Sequence, residues 1–232
     1  MNLEAMERLM AVVVQDDSLA PEFARKINDS ILEVAADFDL PALKMIAPVS
    51  LPVTSADWLY ELPEDFHKHL FRCADRDYIP VKVHGHFEDL DRLDINHDEV
   101  ADRITSVAVA YSGDKPHLGI FPMADDTLHL WYYRKPAVLK KPEDVCDCIP
   151  PEFQERVLFP KVVIKNYQLL QDQIENFDPK PLTYWEGKLK EGFYGSPQGP
   201  IGFINFLAKE KGGPRRRGGR DPIWTGWGWR IR

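Results

Sequence analysis

LHLWYYRKPAVLKKPEDVCDCIPPEFQERVLF, residues Leu128–Phe159, passes from one kind of hydrophobic spacing to another. LHLWYYRKP (Leu128–Pro136) sets large β-formers side by side and stops at a proline, the mark of a strand. PEDVCDC (Pro142–Cys148) is a charged linker. From Ile149 to Leu170, prolines lead into apolar residues at helical spacing, so a helix follows. No residue here is arranged as a catalytic group would be. The stretch reads as a hinge between a β layer and a helical layer.

On the N-terminal side, Leu3, Met6, Leu9, Met10 and Val13 predict a helix over Met1–Val14. A second helix starts near Phe23 and carries Ile27, Ile31, Leu32, Val34, Ala35 and Phe38 on one face, ending before Pro41. Asp17 or Ser18 is placed to cap it, with Pro21 in its first turn. Val49–Leu62 reads as two short strands about a Ser-Ala-Asp turn, and Tyr78–His86 as a half-buried strand. Phe87–Asp94 reads as a short helix. Ile104–Tyr111, Leu118–Phe121 and Thr127–Tyr133 have short connections, which predict antiparallel hairpins. Downstream, a helix from Pro151 to about Phe177 meets Pro160, expected to kink or divide it, and one more helix spans Leu182–Phe193.

The predicted architecture is α+β. A helical bundle uses residues 1–47 and 149–193, a small antiparallel β module of four to six strands occupies 48–148, and an extended arm runs over 194–232. In composition, 232 residues with 44% hydrophobic and 28% charged suit a soluble chain. No apolar run reaches the length of a membrane span, and the acid-bearing start MNLEAMERLM does not read as a signal peptide.

Motifs for chemistry are sparse. The sequence holds no Walker loop, GxGxxG, GxSxG or HExxH. His67 and His69 could be two ligands on one strand face, but read better as a solvated pair, and His84-Gly-His86 as part of a turn or edge strand. Asp89, Asp91 and Asp94 lack the glycine and distal glutamate of a calcium loop. Cys146 and Cys148 sit two apart, too close for an easy bridge, and with Cys73 they read as reduced thiols. No catalytic residue, cofactor or metal is expected.

Charge is uneven. The net charge is −8, yet residues 209–232 hold eight Lys or Arg against two acids, a local +6, which leaves −14 on residues 1–208. After KEKGGPRRRGGRDP comes IWTGWGWRIR, with three of the six tryptophans. Three readings of this arm compete. It can bind phosphates, with its tryptophans stacked on bases. It can be a solvated tail. It can dock on a protein, which the aromatics favour because they need an apolar pocket. The docking reading names Arg215, Arg216, Arg217, Arg220, Ile223, Trp224, Trp227, Trp229 and Arg230 as contacts with another protein or a neighbouring subunit. A nucleic-acid-binding accessory protein using the same arm is the alternative function.

The spaced residues resemble a tailed-bacteriophage head-to-tail adaptor, or head-completion protein. The resemblance rests on the helix ARKINDSILEVAADFDLPAL (Ala24–Leu43), on Leu62-Pro63-Glu64-Asp65-Phe66, on the turn FPMADD (Phe121–Asp126) before LHLWYYRKP, and on Asp147-Cys148-Ile149-Pro150-Pro151-Glu152-Phe153 opening a helix. It covers roughly residues 20–180. It implies a structural virion protein made in the host cytoplasm. Such a protein forms a ring, usually dodecameric, below the portal at the capsid vertex and above a tail or nozzle protein. DNA passes through the ring without sequence-specific binding, and an acidic body suits such a channel. A C-terminal segment commonly engages the portal, and 24 extended residues reach at most about 80 Å.

Overall fold

The computed structural model describes residues 1–15, 17–112, 115–173, 178–196 and 199–210. Helix α1 (Leu3–Val14) starts where the Asn2 side chain accepts the Ala5 N–H at 2.9 Å, and it buries Leu3, Met6, Met10 and Val14 along one stripe. Asp17–Glu22 forms a 3-10 turn containing Pro21, so α2 (Phe23–Asp37) begins from Glu22 with no side-chain cap. Its buried face is Phe23, Ile27, Ser30, Ile31, Val34 and Ala35.

Seven strands follow: β1 (Val49–Val53), β2 (Leu59–Glu61), β3 (Phe66–Ala74), β4 (Pro80–His84), β5 (Ser106–Ser112), β6 (Lys115–Phe121) and β7 (Asp126–Arg134). A short α3 (Glu88–Asp91) lies between β4 and β5. The strand order is β1-β7-β3-β4-β5-β6-β2, with β4–β5 parallel and the other pairs antiparallel.

The α+β expectation of a helical bundle with a small inserted antiparallel module does not hold, while residues 211–232 of the expected extended C-terminal arm lie outside the described residues. The protein is a mixed α/β fold whose seven-stranded sheet is curled into a nearly closed barrel, with helices packed beside it. Three causes account for the difference. First, β1 and β2 do not pair with each other. Val49 pairs with Leu130 of β7 and Tyr60 with Leu118 of β6, so neighbours in sequence hold opposite edges of the sheet. The Tyr60 hydroxyl closes the gap, accepting the Thr54 N–H and donating to the Thr54 carbonyl. Second, no β6–β7 hairpin forms, because the backbone of Met123 is taken by Glu99 and Ala101. Third, residues 203–210, expected within the arm, form helix α7 (Phe203–Glu210), with Phe203 and Leu207 buried in the helical core.

The helical path from Pro151 runs through α4 (Pro151–Phe153), a π-helical turn over Gln154–Leu158, and α5 (Phe159–Gln173). Pro160 has no N–H to offer the Arg156 carbonyl four residues back, and the wider turn precedes it. Helix α6 (Lys180–Tyr194) uses that freed carbonyl as a place of close approach. A Cβ added at Gly192 would lie 1.9 Å from Arg156 O, so only glycine fits there. α1, α2, α5, α6 and α7 enclose one core, which also takes Tyr133, Leu139, Cys146, Cys148 and Ile149 from the end of β7 and the linker. The barrel encloses a second core with Phe66, Leu70, Val107, Leu118, Leu128, Leu130 and Tyr132. Lys68 of β3 ties the two layers, donating to the carbonyls of Ala36 (3.0 Å) and Phe38 (2.8 Å) at the end of α2.

A candidate docking face on the sheet

Successive side chains of a strand point to opposite faces, and β7 is bulky on both. Leu128, Leu130 and Tyr132 point into the barrel. Tyr132 donates to Asp65 Oδ1 at 2.6 Å, and burial together with that carboxylate pushes its phenol pKa up. His129, Trp131 and Tyr133 point outward as an aromatic stripe.

Each ring of the stripe is covered by a side chain from β3 or its following turn. Phe71 meets Tyr133 edge-on with centroids 5.7 Å apart, the Arg72 guanidinium lies 4.4 Å over Trp131, and Tyr78 stacks on His129 at 4.3 Å. The Lys44 ammonium sits 4.7 Å over Phe71, and Trp131 Nε1 donates to the Ile46 carbonyl at 3.2 Å. The covering layer faces outward: Ile46 is 97% exposed, Tyr78 57%, and Phe71 and Ile79 about two-fifths. His69 (φ 48°) and Tyr78 (φ 60°) hold left-handed backbone that non-glycine residues enter at a cost. The Tyr78 turn is held by Asp75, whose carboxylate accepts the N–H groups of Asp77 and Ile79 and pairs with Arg103 at 2.9 Å.

On the other side of the barrel, α3 and the loop after it lie against β5 and β6. Phe87 and Leu90 pack onto Gly119, where a Cβ would meet Phe87 at 2.6 Å. Residues 88–102 hold seven acids against one arginine, a formal −6. Asp94 accepts N–H groups from Asn96, Asp98 and Glu99, which hold its carboxyl below the usual range, Glu99 foremost. His97 stacks on Trp58 at 3.8 Å and reaches Asp91 at 3.0 Å. This frame presents Leu93, Ile95 and Val100 to solvent, Ile95 at 81%.

The histidine and acid candidates do not converge. His67 is half-buried, and burial first, then Lys68, lowers its pKa, while His69 is exposed on the outer face. His84 lies 3.6 Å from Asp89, and His86 is exposed. Among the described residues, no group of three or more His, Cys, Asp or Glu is placed to hold a metal. Cys146 and Cys148 are buried free thiols with sulfurs 3.7 Å apart, and burial pushes the Cys73 thiol up to about 12. Two hollows, one beside Arg156 and Trp185 and one beside Cys148 and Phe206, hold about 150 Å³ each, below the roughly 300–1,000 Å³ of common ligand sites. Arg215, Arg216, Arg217, Arg220, Ile223, Trp224, Trp227, Trp229 and Arg230 lie outside the described residues. Sequence reasoning missed the sheet face. The available signal was LHLWYYRKP itself, since a strand bulky on both faces is covered on both.

A family model described as SU10 adaptor protein matches residues 1–194, from before α1 through the end of α6. The chain belongs to this family of phage head-to-tail adaptors. The adaptor is therefore a structural component of the virion at the head-tail junction. Its matched range holds both layers and both outward faces, whereas α7 and the basic C-terminal residues follow it. Among curated proteins, no relative matches the adaptor. No helix of the described residues is long and apolar enough to cross a membrane.

Proposed function

We propose that this adaptor assembles into a ring, dodecameric as in the proteins it resembles, that joins the portal above to a tail or nozzle protein below and extends the DNA channel. The observation that carries the reading is the family match across residues 1–194, which hold the barrel and the helical layer up to the end of α6. Charge supports it. A body of formal −14 over residues 1–208 repels the phosphate backbone, so DNA slides past without being held. The C-terminal residues Arg215, Arg216, Arg217, Arg220, Ile223, Trp224, Trp227, Trp229 and Arg230 carry the opposite sign and the aromatic content of an interface hot spot, and they bind the portal or a neighbouring subunit. The function uses no catalysis and no cofactor.

The test is mass and shape in solution, by light scattering and negative-stain microscopy, with and without purified portal. Rings, alone or on portal, are expected. A chain ending at Glu210 retains α7 and is expected to fold yet lose portal attachment. A persistent monomer that ignores portal, or genuine hydrolase turnover, overturns the reading.

A further inference from the structure

The two outward faces of the barrel are opposite in chemistry. The face over β7 and β3 presents Ile46, Phe71 and Tyr78 with the cations Lys44 and Arg72, each of which rests on an aromatic ring. Neither cation makes an ion pair with a described residue. The face over β5 and β6 presents Ile95, Leu93 and Val100 within a segment of formal −6. Exposed apolar side chains rimmed by charge are the composition of a protein interface. Both faces are braced in advance, one by the Asp75 turn and the ring stacks, the other by the Asp94 carboxylate and the His97–Trp58 stack. Bracing of this kind lowers the ordering cost of docking.

We propose that the cation–aromatic face of one copy, centred on Ile46, Phe71 and Arg72, docks on the acidic loop of the next copy, centred on Ile95. The proposal rests on the adaptor reading and names the subunit contact within it. A second copy is the occupant because the same chain carries the complementary sign and apolar content on another side of its barrel. Two different patches in contact make a head-to-tail interface, the type that closes into a ring when its rotation closes. A self-complementary contact is disfavoured because each face would meet its own charge.

The experiment uses the full chain and two variants, Ile46→Asp and Ile95→Asp. Both side chains are almost wholly exposed, so both variants should fold, which circular dichroism checks. Sedimentation velocity across a concentration and salt series reads the association. The wild type is expected to associate, less tightly as salt rises, and each variant alone to be monomeric, with association weakened at least about tenfold. An equimolar mixture of the variants is expected to form a one-to-one dimer and nothing larger, since each retains the face the other lacks. Several outcomes overturn the proposal: a monomeric wild type, a variant that associates like the wild type, or a mixture that stays monomeric. Association lost on removing residues 211–232 makes the C-terminal segment the occupant of the acidic face. Duplex DNA binding lost in Ile46→Asp with association unchanged makes the sheet face a nucleic-acid surface. Portal binding by the monomeric variants is measured in parallel, and its loss in the wild type as well is what would defeat the adaptor reading itself.

Discussion

The helical layer and the barrel differ in how distant parts of the chain are brought together. In the helical layer, side chains reach across to backbone. Asn28 and Leu139 exchange two hydrogen bonds, Tyr167 donates to the Val13 carbonyl at 2.9 Å, and Gln154 donates to the carbonyls of Cys146 and Ile149 while accepting from the N-terminal ammonium. Lys161 and Lys165 of α5 reach Glu33 of α2. Burial works to raise that carboxyl, but the two ammonium groups outweigh it and its pKa is lowered. In the barrel the ladder itself does most of this work, and side chains add polar closures such as Tyr132 to Asp65 and Arg103 to Asp75. Helices leave their faces to side chains, so many small anchors are needed. A sheet spends backbone groups on distant partners and needs few.

Substitutions in each layer test that contrast. The largest effect is expected from Phe153→Ala, whose ring is 2% exposed and lies 4.9 Å from Phe203 and 5.1 Å from Phe206. Its loss should cost about 3–5 kcal/mol in urea unfolding. Leu130→Ala in the barrel, at about 2–5 kcal/mol, should shift the same transition. Two separate transitions would show that the layers unfold independently and that Lys68 does not couple them.

Gly192→Ala comes next. The added methyl cannot occupy the place of the Arg156 carbonyl, so α6 must move, at about 3 kcal/mol in thermal or urea unfolding. An unchanged midpoint would mean that the π turn yields instead.

Tyr132→Phe removes one of the barrel's polar closures and should cost about 1 kcal/mol at neutral pH. Since the folded phenol titrates above its unfolded value, its contribution is present below about pH 10 and is lost as pH rises further. The variant should therefore lose stability less steeply in alkali than the wild type. Equal slopes would mean another group governs that limb.

The smallest effect is local. The Asp94 carboxyl titrates below its unfolded value, so its hold on the loop is present above that value and is lost as pH falls through the folded one. Asp94→Asn should speed amide exchange at Asn96, Asp98 and Glu99 at neutral pH and leave the unfolding midpoint unmoved. A shifted midpoint would show that the loop belongs to the cooperative core.

The same contrast explains what could be read from residues alone. The stripes Met6–Met10 and Ile27–Ile31 disclose α1 and α2 because helical partners on one face recur every few residues. β7 was legible as a strand, but not what lay on either side of it. β3 was hidden because irregular register at Lys68 and Arg72 breaks its alternation. Nothing local shows that β1 and β2, a turn apart, belong to opposite edges. α7 was obscured by the glycines and prolines before it, although Phe203 and Leu207 stand four apart, the spacing of one buried helical face. The candidate docking face was legible only as unusual bulk in LHLWYYRKP, since what covers Trp131 and His129 comes from β3 and its turn.

The nearly shut barrel also bears on how this chain can meet other chains. An open sheet edge is a template on which any other chain can add a strand. Here the two terminal strands are only five and three residues long, Pro52 lies within the first, and the Tyr60 hydroxyl bonds back to Thr54 between them. Few free backbone groups remain to recruit a stray strand, so side-chain surfaces are the main means by which such a sheet meets another chain.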